Sequence, residues 1–173
     1  MGIKKIAVLG PESTGKSELC QHLAVQYETE WVPEYARFYI DRLQQPYEQQ
    51  DLKAIAQGQL SWEDEKSTYA DKYLICDTNL IVIKIWSDHK YGNTDPWIEE
   101  QLKERTYDFY LLTNVDIPWR PDPQREHPQL RQHFLKVYED YLKEHNLPYA
   151  LVSGIEGDRK QCAVNAIENH FSK

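Results

Sequence analysis

The stretch Gly10-Pro11-Glu12-Ser13-Thr14-Gly15-Lys16-Ser17 fits the pattern G-x-x-x-x-G-K-[ST] without a mismatch, and it directly follows the apolar run Ile6-Ala7-Val8-Leu9. In this pattern, a P-loop, backbone N–H groups and the N-terminus of the next helix surround the oxygens of a polyphosphate. The lysine reaches the β- and γ-phosphates, and the serine hydroxyl is a ligand of Mg²⁺. Residues 10–17, hereafter the phosphate loop, therefore predict ATP and Mg²⁺ as cofactors. The predicted cofactor-binding residues are Gly10, Glu12, Ser13, Thr14, Gly15, Lys16 and Ser17.

The composition indicates a single folded domain with an acidic surface. The 173 residues are 28% charged and 40% hydrophobic, and they carry a formal net charge of −8 at pH 7. A chain of this length can bury a proper core, so one domain over residues 1–173 is expected. Its surface would on average repel nucleic acid and anionic lipid. The expected partners are therefore a small molecule and other proteins, with a homo-oligomer as one possibility.

The cysteines and the hydropathy indicate a protein of the cytoplasm. Cys20, Cys76 and Cys162 are odd in number, lie far apart and include no C-x-x-C pair, which argues against a disulfide framework and a zinc site. No stretch approaches the roughly 18 apolar residues that a membrane span requires, and the N-terminus leads into the first strand without a signal-like segment. No membrane association is expected.

Short apolar runs alternate with amphipathic helical segments along the chain. This order predicts a three-layer α/β domain with a mostly parallel five-stranded sheet. Ligands of such folds bind outside the carboxyl ends of the strands. The predicted strands are Ile3–Leu9, Trp31–Pro33, Tyr73–Asp77, Phe109–Thr113 and Tyr149–Val152.

Two carboxylates are predicted at strand ends in this crevice. Asp77 ends an apolar strand and is expected to hold Mg²⁺ together with Ser17. The alternative for Asp77 is a cap of the helix that begins near Asn79. Glu34 follows a different strand and is the better candidate for the catalytic base that meets an acceptor hydroxyl. The alternative for Glu34 is a surface ion pair with Arg37, three residues further on.

Residues 114–128 hold four prolines and are predicted to form an irregular loop. A loop of this length after the fourth strand is expected to act as a mobile lid over the phosphates. It carries Arg120 and Arg125, and Arg131 follows it. One of these guanidinium groups would reach the transferring phosphoryl group, and the alternative is a solvated loop arginine.

Several aromatic side chains are candidates for stacking on a flat ring. Tyr35 and Trp119 are two of them, although aromatic residues in such positions more often belong to the core.

Five segments form a pattern more particular than the phosphate loop alone. They are the phosphate loop itself, Val32-Pro33-Glu34-Tyr35-Ala36-Arg37, Cys76-Asp77-Thr78-Asn79, Tyr107–Thr113 with Ile117-Pro118-Trp119, and Val152-Ser153-Gly154. In this order they resemble the kinase domain of NadR-type NAD-biosynthesis proteins. The resemblance implies a nucleoside-kinase-like P-loop fold and transfer of the γ-phosphoryl group of ATP to the ribose 5′-hydroxyl of ribosylnicotinamide, giving nicotinamide mononucleotide. The acceptor-binding residues expected from these segments are Glu34, Tyr35, Arg37, Asn79 and Trp119, and the catalytic residues are Lys16, Glu34, Asp77, Arg120 and Arg125.

Two features depart from that family. The chain begins at the first strand, so the adenylyltransferase and DNA-binding domains of longer relatives are expected to be missing. After Trp119 it reads Arg120-Pro121-Asp122-Pro123-Gln124-Arg125, where a D-G-x-R-like stretch is expected.

Other P-loop functions stay open at this point. One is a regulatory ATPase or binding module that hydrolyses its nucleotide slowly, and another is a kinase for a different small metabolite. A guanine-nucleotide switch is disfavoured because Asn114-Val115-Asp116 lacks the lysine of an N-K-x-D segment.

Overall fold

The computed structural model describes residues 2–172, which contain one five-stranded sheet. The strand order is β2-β3-β1-β4-β5, and every pairing is parallel. The sheet therefore has β1 at its centre and the two shortest strands at its edges. The strands are β1 (Lys4–Leu9), β2 (Trp31–Val32), β3 (Tyr73–Asp77), β4 (Phe109–Thr113) and β5 (Tyr149–Val152).

Helices cover both faces of this sheet. Successive residues of a strand point to opposite faces, so Ile6 and Val8 pack in one apolar cluster and Ala7 and Leu9 in another. The first cluster includes residues of α1 (Lys16–Gln26) and α7 (Glu156–Phe171), and the second includes residues of α4 (Leu80–Tyr91) and α6 (Arg131–Glu144). The predicted three-layer α/β fold is confirmed. The helices are α1 (Lys16–Gln26), α2 (Tyr35–Ile40), α3 (Gln49–Ser67), α4 (Leu80–Tyr91), α5 (Pro96–Glu104), α6 (Arg131–Glu144) and α7 (Glu156–Phe171).

Within residues 2–172, no helix has the length and apolar character needed to cross a membrane.

Gly58 lies inside α3, where glycine costs roughly 1 kcal/mol relative to alanine. A Cβ atom at Gly58 would lie 2.0 Å from Cε1 of Tyr35 and 2.2 Å from its Cζ. The Tyr35 ring therefore packs directly on the backbone of α3, and its centroid lies 4.7 Å from that of Trp62 in an edge-to-face pair. The glycine allows α2 to approach α3 at this point.

Glu63 of α3 is a fully buried carboxyl group. The Tyr107 hydroxyl donates to it, lying 2.8 Å from Oε1 and 2.7 Å from Oε2. Burial raises the pKa of Glu63 from 4.5 to about 7, and the Tyr107 hydrogen bond opposes the shift only in part. This carboxyl group is therefore largely neutral below neutral pH.

Glu63→Gln is expected to make the free energy of unfolding less dependent on pH. The folded state binds the extra proton, so the stability due to neutral Glu63 is fully present below about pH 4.5 and is lost as the pH rises to about 7. A shift of this size corresponds to about 3 kcal/mol. Urea unfolding at several pH values between these limits measures the loss, with the exposed Glu65→Gln as the control. Equal pH dependence in the parent and Glu63→Gln would contradict the expectation.

Candidate active site

The phosphate loop connects β1 to α1 and is fixed by contacts with β4. Gly10 has a φ of 143°, and a Cβ atom there would lie 2.2 Å from Oγ1 of Thr113. Gly15 has a φ of 75° and immediately precedes α1. The Thr14 hydroxyl donates to the Pro11 carbonyl at 2.8 Å and lies 2.6 Å from Oγ1 of Thr113. The first N–H groups of α1 have no intrahelical partner, so this fixed loop presents donors to an anion.

Arg159 of α7 supports the phosphate loop from behind. Its guanidinium is almost fully buried and donates to the carbonyls of Thr14 at 2.8 Å and Asn114 at 2.9 Å. It also forms an ion pair with Asp116 at 2.5 Å. Sequence reasoning missed Arg159, because an arginine in the first turn of the last helix gives no local signal of contact with residues 145 positions earlier.

Ser17 and Asp77 lie together at the mouth of the phosphate loop. The Ser17 hydroxyl donates to Oδ2 of Asp77 at 2.5 Å. The second oxygen, Oδ1, is buried without a hydrogen-bond partner among the described residues. One hydroxyl and one unpaired carboxylate oxygen form a hard oxygen donor set that suits Mg²⁺. The residues present thus fit the ion that the sequence predicts.

The electrostatic setting of Asp77 also suits a cation. Burial raises the pKa of Asp77 above its usual range, and the charge of Glu34 raises it further, while Lys16 and the Ser17 hydrogen bond act in the opposite direction. A divalent cation at Oδ1 would stabilise the ionised carboxylate. The cap of α4 comes instead from Asn79, whose Oδ1 accepts the Ile81 N–H at 3.0 Å.

Glu34 precedes α2 and lines the same cavity as the phosphate loop. Its side chain makes no capping hydrogen bond to the helix. The ion pair with Arg37 that was the alternative role for Glu34 is absent from the described residues, because the Arg37 guanidinium binds Asp122 at 2.9 Å. The Glu34 carboxylate is therefore available to a ligand.

The 114–128 loop folds against the phosphate loop. The backbone N–H of Arg120 donates to the Ser13 hydroxyl at 2.8 Å, and the Arg125 guanidinium donates to the Arg120 carbonyl and lies 3.5 Å from the Ser13 hydroxyl. Arg131 is buried and donates to the carbonyls of Ser13 and Ile117, both at 2.9 Å. Arg131 therefore joins the two loops through their backbones, whereas Arg120 and Arg125 line the cavity.

Further contacts join the 114–128 loop to Glu12 of the phosphate loop and to α2, on the opposite side of the cavity. The Glu12 carboxylate accepts the N–H groups of Glu126 at 3.2 Å and His127 at 3.3 Å. Gln124 donates to the Arg37 carbonyl at 3.3 Å. Together with the Arg37–Asp122 pair, these bonds place one loop in contact with both the phosphate loop and α2.

These elements enclose one cavity of about 440 Å³. Asp77 is not in the wall itself, but its carboxylate accepts a hydrogen bond from Ser17, which is in the wall. Most of the predicted site residues therefore meet in one place, although their roles stay predictions. The predicted residues in the wall are Gly10, Glu12, Ser13, Thr14, Gly15, Lys16, Ser17, Glu34, Arg37, Arg120 and Arg125.

Three residues predicted to bind the acceptor lie outside the wall. Tyr35 packs on α3, Asn79 caps α4, and the ring centroid of Trp119 lies 5.9 Å from the guanidinium carbons of Arg125 and Arg131. The Oδ1 of Asn79 is used in the cap, whereas its Nδ2 is buried without a hydrogen-bond partner among the described residues. The structure gives no contact through which the three residues would reach an acceptor in the cavity.

An apolar and aromatic wall completes the cavity on the side of α3, α4 and α6. Sequence periodicity places Leu52 and Ile55 on the buried face of a helix, but it does not tell which part of that face borders a cavity. Other wall residues of this kind are Ile40, Tyr47, Val82, Ile83, Trp86 and Tyr138.

A protein-family model described as "AAA domain" matches residues 5–160 of the chain. The chain belongs to this AAA domain family. Among curated proteins, this AAA domain is 27% identical over 164 residues to the trifunctional NAD biosynthesis/regulator protein NadR of Salmonella typhimurium. That match covers 90% of the chain and 40% of the relative, so the chain spans well under half of its relative's length.

Solved structures share the fold of this AAA domain over nearly the whole chain. A crystal structure of NadR in complex with NAD and AMP-PNP matches 99% of the chain and 50% of that protein, with a TM-score of 0.77 and 21% identity. A second crystal structure of NadR, in complex with NR, has a TM-score of 0.76 and 21% identity, and the match covers 99% of this chain and 52% of that protein. Thymidylate kinase from Ehrlichia chaffeensis has a TM-score of 0.61 and 15% identity over 98% of the chain and 99% of that protein. The nucleoside-kinase-like P-loop fold is confirmed.

Proposed function

We propose that this AAA domain transfers the γ-phosphoryl group of ATP to the ribose 5′-hydroxyl of a nucleoside, and that the nucleoside is ribosylnicotinamide. The observation that carries the proposal is the meeting of Lys16, the Ser17–Asp77 pair and the uncommitted Glu34 carboxylate in one cavity. The NadR relative and the NadR complex with NR support the choice of nucleoside.

We assign the roles to the side chains that line or border the cavity. The acceptor oxygen bonds to the γ-phosphorus as the bond to the β–γ bridging oxygen breaks, and the hydroxyl proton passes to Glu34. Lys16 and Arg125 offset the charge on the phosphoryl oxygens. Ser17 and Asp77 would hold Mg²⁺, which supplies charge neutralisation at the β- and γ-phosphates.

The carboxylate of Glu34 supports an acceptor with a cationic ring. Glu34 lines the cavity and has no ion-pair partner among the described residues, because Arg37 pairs with Asp122. A carboxylate attracts a cation, and the pyridinium ring of ribosylnicotinamide is one. Neutral nucleosides of similar size would lack this attraction.

The test is phosphoryl transfer from Mg·ATP to a panel of nucleosides, with each monophosphate product measured by chromatography. Ribosylnicotinamide is expected to have the highest kcat/KM. Ribosyl nicotinate is the matched comparison, because its ring carboxylate cancels the pyridinium charge at almost unchanged size. Transfer to no member of the panel, with slow ATP hydrolysis alone, would contradict the proposal and favour a regulatory ATPase.

A further inference from the structure

We propose that Gly58 and Gln59 of α3 position Glu34 for catalysis by docking the first residue of α2, an inference that rests on the proposed role of Glu34 as the base. The first N–H groups of a helix lack intrahelical partners, and a side chain preceding the helix usually accepts from them. Glu34 occupies that preceding position, yet it makes no capping hydrogen bond.

Gln59 accepts the first N–H group of α2, which an N-cap side chain does not reach. Its Oε1 accepts the Tyr35 N–H, the first of α2, at 2.9 Å. Gln59 is only 2% exposed and lines the cavity, so this bond forms in a largely water-excluded place. A capping acid accepts the N–H of the second or third helical residue, and Glu34 makes no such bond, so its carboxylate stays in the cavity. The Gln59 bond fixes the backbone of Tyr35, the residue that follows Glu34.

Gly58 supplies the second half of the dock. The Tyr35 ring occupies the space that a side chain at Gly58 would fill, with 2.0 Å between Cε1 and the position of a Cβ atom. Two adjacent residues of α3 therefore bind one residue of α2, through its backbone and through its ring. Glu34 immediately precedes Tyr35 in the chain, so its backbone position follows from this contact.

The other end of the Gln59 amide faces Glu63, one turn further along α3. Its Nε2 is buried and makes no close hydrogen bond among the described residues, but its interaction with the Glu63 carboxyl opposes the rise in the pKa of Glu63. Gln59→Met therefore loses the bond to Tyr35 together with this interaction. Glu63→Gln changes only the second partner, so comparing kcat in the two variants isolates the effect of the Tyr35 bond.

The experiment compares Gln59→Met and Gly58→Ala with the parent protein in phosphoryl transfer from Mg·ATP to ribosylnicotinamide. Displacing a catalytic group by about 1 Å can cost roughly 10²-fold, so kcat is expected to fall roughly 10- to 100-fold in both variants. The KM for the nucleoside and the affinity for an ATP analogue should stay within about twofold of the parent. Circular dichroism and thermal unfolding report the folded fraction to which kcat is normalised.

Matched controls separate positioning from general loss of structure. Gly157 is also inside a helix, but a Cβ atom there would meet nothing within 4 Å, so Gly157→Ala should leave kcat unchanged. Gln161 is an exposed amide of α7, and Gln161→Met should likewise have no effect. In a Tyr35→Ala background the ring is gone, so Gly58→Ala should have little further effect on kcat.

Two results would overturn the inference. One is an unchanged kcat in both variants when the parent transfers phosphate. The other is a rise in nucleoside KM alone, which a direct contact between Gln59 and the acceptor would produce. If the parent transfers phosphate to no nucleoside, the proposed function is wrong. Amide hydrogen exchange would then still test whether Gly58 and Gln59 hold Tyr35 in place. Exchange at Tyr35 should be faster in Gln59→Met than in the parent, and equal protection would reject the dock itself.

Discussion

Arg125→Ala is expected to lower kcat by roughly 10³- to 10⁵-fold, the usual worth of an arginine that stabilises a transferring phosphoryl group. The Arg125 guanidinium already lies 3.5 Å from the Ser13 hydroxyl at the phosphate loop, and its residue lines the cavity. The KM for the nucleoside should change little, because the charge that Arg125 offsets develops in the transition state.

Arg120→Ala and Arg42→Ala make this test specific. Arg120 lines the same cavity and contacts Ser13 only through its backbone N–H, so its side chain is the competing candidate. Arg42 lies outside the cavity with its guanidinium 3.4 Å from the Phe38 ring centroid, and its loss should leave turnover unchanged. If neither Arg120→Ala nor Arg125→Ala slows turnover, and amide exchange in the 114–128 loop ignores bound ligands, the lid hypothesis is wrong.

Glu34→Gln is expected to lower kcat by about 10²- to 10⁴-fold, the contribution of a general base, with ATP affinity nearly unchanged. Asp77→Asn should act differently, because Asp77 is hydrogen-bonded to Ser17 and has an unpaired oxygen at the proposed Mg²⁺ position. It should raise the Mg²⁺ concentration needed for half-maximal activity. Initial rates over a series of Mg²⁺ concentrations measure both effects.

The opposite result in the two variants would exchange the roles assigned to Glu34 as the base and Asp77 as the Mg²⁺ ligand. A change of Mg²⁺ dependence in Glu34→Gln, with only a lower kcat in Asp77→Asn, would make Asp77 the base. Glu65→Gln is the control, because Glu65 is exposed on α3 and lies outside the cavity wall.

The sequence was sufficient to predict the strands and the phosphate loop. Both rest on local patterns: an unbroken apolar run predicts a buried parallel strand, and glycines at fixed spacing predict a turn around an anion. Asp77 and Glu34 were found in the same way, since each follows such a run. The parallel order of strands then brings their ends to one edge of the sheet.

Long-range support could not be predicted. Arg159 and Arg131 bind backbone carbonyls of residues more than one hundred positions earlier, and no spacing rule relates such pairs. A glycine in the middle of a predicted helix argues against that helix, so Gly58 made α3 hard to predict. The need for a glycine there comes from the ring of Tyr35, which lies on another helix and packs against Gly58. Trp119 and Asn79 stay predicted ligand contacts that lie outside the cavity wall, because composition does not distinguish a packed or capping side chain from one facing a cavity.

The 114–128 loop binds both the phosphate loop, through Ser13 and Glu12, and α2, through Arg37. On the proposed assignment, these are the two ends of the cavity where nucleotide and nucleoside bind. A ligand bound at one end of the cavity that favours this arrangement of the 114–128 loop lowers the free energy needed to order the loop when the second ligand binds at the other end. Thermodynamic linkage requires the effect to be mutual: ATP should tighten nucleoside binding by the same factor by which the nucleoside tightens ATP binding.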